Sequence, residues 1–165
     1  MRRNMLIFLF IVVLLIGCKN TTGMSKGYID ISGMDYSDIY TLALEAILEE
    51  DLALNYEMQY IAINTKTLLN ASQNDVEEIM AYFTKFNIDI IDESYETLKD
   101  KDMVVQSNIE GVLLEVTRVE VISDTKVKVE CTKFRSGDGA IWIEYTIVDE
   151  EGIWKIDEIT MTAIS

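Results

Sequence analysis

Gly111-Val112-Leu113-Leu114-Glu115-Val116-Thr117-Arg118-Val119-Glu120-Val121 is the stretch from which the fold can be read. Apolar residues recur here at every second position, the period of a strand with one face on a core. Val112, Leu114 and Val116 share one parity, and Val119 and Val121 share the other, so the pattern switches across Thr117-Arg118. Such a switch predicts a bulge or sharp bend, because a one-residue slip would otherwise turn the apolar face to solvent. Ser123-Asp124-Thr125 predicts a turn, after which Val127, Val129 and Cys131 alternate with Lys126, Lys128 and Glu130. Ser136-Gly137-Asp138-Gly139 predicts the next turn, with glycines able to take positive φ. Ile141, Ile143, Tyr145 and Ile147 follow as an inward row. Asp149-Glu150-Glu151-Gly152 predicts a third turn into Trp154 and Ile156, then Ile159, Met161 and Ala163, with a second parity switch at Asp157-Glu158. The carboxyl-terminal half thus reads as four antiparallel strands, bent in two places.

Upstream the period lengthens. Ser37 is a candidate N-cap with Asp38 in the first turn, and Ile39, Leu42, Ala43, Ala46 and Ile47 recur at helical spacing. Glu49-Glu50-Asp51 has the wrong sign for a helix C-terminus, and the helix is expected to stop there. Met58 to Thr65 predicts a strand, with Met58, Tyr60 and Ala62 on one face and Ile61 and Ile63 on the other. Ser72 or Asn74 opens a second helix carrying Val76, Ile79, Met80, Phe83 and Phe86, and Asn87 stops it. Ile88 to Ile91 predicts a short strand, and Ser94 to Asp100 one or two helical turns with Tyr95 and Leu98 inward. Helices first and strands after predict an α+β fold, with N-terminal helices packed on one face of a curved antiparallel sheet.

At the amino terminus, Arg2-Arg3 precede an unbroken apolar run from Met5 to Ile16, which closes on Gly17-Cys18. Thirteen residues from Met5 to Gly17 fall short of the roughly 20 that a spanning helix needs. The charge and length are those of a secretory leader. Leu15-Ile16-Gly17-Cys18 resembles the lipobox of bacterial lipoproteins. That resemblance implies a diacylglyceryl thioether on Cys18, cleavage between Gly17 and Cys18, and an anchor on the extracytoplasmic face of the cell membrane. Residues 1–17 are then a signal peptide, 18–34 a flexible tether and 35–165 a single domain. The sixteen residues from Lys19 to Met34 have an r.m.s. reach of about 20–24 Å. Tyr28, Ile29 and Ile31 admit a second reading, as a short edge strand.

Removing residues 1–17 removes Arg2 and Arg3 and no acid, which leaves 148 residues with 12 Lys+Arg against 29 Asp+Glu, a formal charge of −17. Nucleic-acid phosphate repels such a chain, so no nucleic-acid partner is expected. No histidine is present, which removes Ser-His-Asp and Cys-His catalysis and histidine metal sites. With Cys18 acylated, Cys131 is the remaining thiol and no internal disulfide can form. The stretch from Tyr145 to Glu158, centred on Gly152-Ile153-Trp154-Lys155-Ile156, resembles the last hairpin of NTF2-like and cystatin-like domains. The mature chain, at Lys133 to Ala140 in particular, resembles small lipoproteins of Gram-positive bacteria.

Candidate sites each carry two readings. Cys131 is a reactive thiol or a small core residue. Arg135, Ser136, Gly137, Asp138 and Gly139 form an anion-binding loop or an ordinary hairpin turn. The acidic runs at Glu49–Asp51 and Asp149–Glu151 lack the alternation of a calcium loop, and neither a metal nor a cofactor is expected. Tyr36, Tyr40, Tyr60, Tyr82, Tyr95 and Tyr145 line a ligand cone between helix and sheet or fill a core. Trp142, of opposite parity to Ile141 and Ile143, is a partner anchor or lies under an N-terminal element. The chain therefore reads as a lipid-anchored extracytoplasmic domain that binds a protein or small ligand without catalysis. Its rivals are an NTF2-like pocket enzyme and an inhibitor or immunity lipoprotein that captures a cationic partner.

Overall fold

The computed structural model describes residues 34–165. The leader, Cys18 and the tether up to Gly33 lie outside the described residues. The first helix, α1 (Tyr36–Glu49), is capped by Asp35, whose carboxylate accepts from the Asp38 amide at 3.0 Å. Asp35 therefore takes the capping role expected of Ser37, which is buried one residue inside the helix. Strand β1 (Tyr60–Ile63) leads to α2 (Gln73–Phe83), opened by a reciprocal capping box between Ser72 and Asp75. Asn87, in left-handed conformation at φ 54°, ends the 3-10 turn that follows α2. Next come β2 (Asp89–Asp92), α3 (Tyr95–Asp100) and a two-residue-per-strand hairpin, β3 (Val104–Val105) and β4 (Asn108–Ile109). The long strands are β5 (Val112–Ser123), β6 (Lys126–Ser136), β7 (Gly139–Glu150) and β8 (Ile153–Ile164).

The four long strands form an antiparallel meander, and both parity switches are register shifts. Thr117 is the extra residue between Val116 and Arg118, so Val119 and Val121 return to the cluster already holding Val112, Leu114 and Val116. Asp157 does the same between Ile156 and Glu158. Bulges at these points bend the strands and are consistent with a curved sheet.

The sheet is mixed, where an antiparallel one was expected. Its order is β2-β1-β5-β6-β7-β8, and β1 lies parallel to both neighbours. The cause is connectivity: β1, α2 and β2 form a strand–helix–strand unit, which returns the chain in the same direction. The helices also occupy both faces. α1 packs across β5 to β8 and against α2 over one face, burying Ile61 and Ile63. On the other face, Leu98 of α3 and Ile109 of β4 cover Tyr60, Ala62 and Leu113, with Tyr95 edge-to-face on Phe134. Burial on both sides explains why all four residues of β1 are apolar.

The acidic end of α1 is neutralised from the sheet. Lys133 is wholly buried, and its ammonium donates to the carbonyls of Leu48 (2.9 Å), Glu50 (2.6 Å) and Asp51 (3.2 Å). Its three N–H donors thus meet three carbonyls at and just beyond the helix terminus, of which Leu48 also accepts from the Asn55 amide at 2.8 Å and Asp51 from the Leu54 N–H at 3.0 Å. Burial pulls the lysine down to about 8, and the Asp51 and Glu50 carboxylates oppose that shift.

Candidate functional site

The face of the sheet opposite α1 carries an open cleft of about 820 Å³. One wall is the segment before β1, with Tyr56, Glu57 and Gln59. The other is the small hairpin and its flanks, with Asp102, Met103, Val105, Asn108 and Glu110. Tyr60 and Arg135 also line it. Chain geometry around this cleft is unusual. Glu57, Asp102, Gln106 and Ser107 all have positive φ, and none is a glycine. Gln106 and Ser107 are the two central residues of the β3–β4 turn, whose doubly left-handed form normally takes Asn-Gly.

Arg135 supplies the cation. One guanidinium N–H donates to the Leu54 carbonyl at 3.1 Å, and among the described residues no carboxylate lies within ion-pair distance. Three carboxylates, Glu57, Asp102 and Glu110, line the same cleft. The Tyr60 hydroxyl is buried without a hydrogen-bond partner among the described residues. Burial raises its pKa above the usual tyrosine value. The cleft therefore offers one free guanidinium face, several acceptors and exposed apolar edges at Tyr56 and Val105. These groups can hold a ligand of mixed polar and apolar character.

The structure separates the other candidates. Arg135 reaches the cleft, whereas Gly137 and Asp138 form the exposed β6–β7 turn between Ser136 and Gly139. Neither Gly137 nor Gly139 has positive φ, so the turn lacks the alternating backbone of an anion nest and only the Arg135 side chain remains. Cys131 is fully buried, and burial pushes its thiol well above the usual range, which makes it a core residue. Trp142 is partly buried on the outer sheet face, opposite Thr132 on β6 and Ala163 on β8.

The tyrosines divide. Tyr36, Tyr40 and Tyr145 are buried in the core beneath α1, and Tyr40 donates to the Leu69 carbonyl at 2.6 Å. Tyr82 is exposed and bonds Glu45, while Tyr60 and Tyr95 belong to the opposite face. Of the two readings, Tyr36, Tyr40 and Tyr145 take that of core packing. In the Asp149–Gly152 turn, Asp149 accepts from the Gly152 amide at 2.7 Å and Glu150 pairs with Lys155. Among the described residues no group of three or more Cys, Asp or Glu is placed to hold a metal, and no helix is long and apolar enough to cross a membrane.

Sequence reasoning named Tyr60 only as one of six tyrosines for a cone between helix and sheet, and it missed the β3–β4 hairpin as a site element. Two-residue strands leave too short a pattern to read, and Gln-Ser carries no turn signal. Comparison with known protein families, curated proteins and solved structures found no match to this chain.

Proposed function

We propose that the protein is an extracytoplasmic lipoprotein, held to the cell membrane by a diacylglyceryl group on Cys18, whose domain binds a partner or small ligand without catalysis. The observation that carries the anchor is the sequence Leu15-Ile16-Gly17-Cys18 at the end of a thirteen-residue apolar run behind two arginines. Two acyl chains, at about 0.8 kcal/mol per buried CH₂, give a stable attachment. The cleft beside Arg135 supports the binding reading, and the filled space beneath α1 weighs against a pocket enzyme. Bends in β5 and β8 and the Gly152 turn support an NTF2-like or cystatin-like origin for the four-stranded part. The parallel β1–β2 pair departs from a wholly antiparallel sheet.

Replacing Cys18 by Ala tests the anchor. The variant is expected in the soluble fraction or with its leader uncut; unchanged processing and membrane fractionation would refute it. A second reading, capture of a cationic partner, is favoured by the acidic charge and by Glu57, Asp102 and Glu110 at the cleft. Binding of that kind weakens sharply between low and physiological salt.

A further inference from the structure

The cleft beside Arg135 keeps charges of both signs apart. Glu57 stands on one wall, Asp102 and Glu110 on the other, and Arg135 reaches in from β6. Among the described residues none of these four side chains takes part in an ion pair, although all line one cleft. Arg135 is held by its bond to the Leu54 carbonyl, which leaves most of its N–H fork unspent. Tyr60, only 6% exposed, belongs to the same lining, and its hydroxyl has no hydrogen-bond partner among the described residues. Burial keeps that hydroxyl protonated, with Glu110 acting the same way against the Gly111 backbone and Arg135. Its proton therefore needs an acceptor, and supplying one relieves the cost of an unsatisfied buried donor. Gln59 and Asn108 have the opposite need. Their side-chain N–H groups donate to the Glu57 carbonyl (2.8 Å) and the Gln106 carbonyl (3.2 Å), while their amide oxygens accept nothing among the described residues.

We propose that the cleft takes a short peptide with both termini free, its carboxylate on Arg135 and Tyr60 and its ammonium among Glu57, Asp102 and Glu110. The proposal rests on the reading of the domain as a binding module and names what the module binds. A ligand of one sign meets only half of the site. An anion faces three carboxylates, and a cation leaves the guanidinium and the Tyr60 proton without an acceptor. A zwitterion answers both sets, and having no net charge it is not repelled by the acidic chain. Size and lining favour a peptide over a single amino acid. A volume of about 820 Å³ lies toward the upper end of pockets that take drug-sized ligands. Between the charges, the amide oxygens of Gln59 and Asn108 suit peptide N–H groups. Tyr56, Met103 and Val105 offer apolar surface to the side chains, Tyr56 and Val105 being 70% and 67% exposed.

Titration calorimetry on the full chain in detergent at pH 7 decides it, with trileucine in three forms: both termini free, N-acetylated and C-amidated. The free form is expected to bind, and each blocked form to bind about tenfold or more weakly. Glu57→Gln/Asp102→Asn/Glu110→Gln changes exposed side chains, and Asn suits the left-handed backbone at 102. That variant is expected to lose the preference for a free amine and to keep the preference for a free carboxylate. A preference for the free amine that survives in the variant overturns the proposal. Equal binding of the three forms also overturns it, and leaves a cleft that takes apolar ligands whatever their termini. Binding of trilysine amide in place of free trileucine overturns it in favour of a cationic partner. If none of the four probes binds with Kd below about 1 mM, the proposal and the binding reading of the cleft fall together.

Discussion

Lys133 is where one residue decides most. A lysine in the row of Val129 and Cys131 breaks the binary pattern, and Glu49-Glu50-Asp51 breaks the usual sign at a helix C-terminus. The structure makes the two anomalies one device, an ammonium buried against the last carbonyls of α1. Each anomaly was legible in the sequence; their partnership was not, because residues 48–51 and 133 meet only through the tertiary fold. Lys133→Met relieves the desolvation of the charge but takes the ammonium from the Glu50 carbonyl, while Leu48 keeps the Asn55 amide and Asp51 the Leu54 N–H as donors. The second effect wins, and urea titration is expected to show a loss of about 2 kcal/mol. The folded lysine sits at about 8 against an ordinary 10.5, so the unfolded chain holds the extra proton between those values. Stability from this group is complete above pH 10.5 and lost as pH falls through 8. Relative to Lys133→Met, the natural protein should therefore gain stability as pH rises from 8 to 10.5. A parallel pair of pH profiles would contradict the assignment.

Among the elements, the long strands were readable because each buries one face, and a parity switch in such a strand has few causes other than a bulge. The error lay in β1 and β2. Both are four residues long and separated by α2, a spacing that calls for a parallel crossover, whereas their short apolar runs reveal no direction. Gly111, at the entrance to β5, shows how closely β1 approaches. A Cβ there would lie 2.4 Å from the Tyr60 carbonyl oxygen and 2.4 Å from its ring. Gly111→Ala is accordingly expected to cost about 2–3 kcal/mol in chemical denaturation, since backbone must shift. A change below 0.5 kcal/mol would mean that β1 and β5 do not pack as described. The Gln106-Ser107 turn has the opposite sign. Replacing the pair with Asn-Gly keeps its left-handed backbone and should raise stability by about 1 kcal/mol, while a loss would show that these side chains make contacts of their own.

At the scale of the molecule, the α+β class and the meander were legible, and the cleft was not. Its walls come from segments 56–60, 102–110 and Arg135, brought together by the β1–β5 pairing and a hairpin too short to leave a periodic trace. The candidate residues shared by sequence and structure are Tyr60, named for a cone on the other face, and Arg135, reached in the first case through its turn and in the second through its side chain. The proposed function rests on an anchor at Cys18, and intact-mass spectrometry of the membrane-associated protein tests that most directly. The expected result is a chain beginning at residue 18 with the mass of a diacylglyceryl group added to it. A chain that retains residues 1–17, or begins at any other residue without lipid, would contradict it.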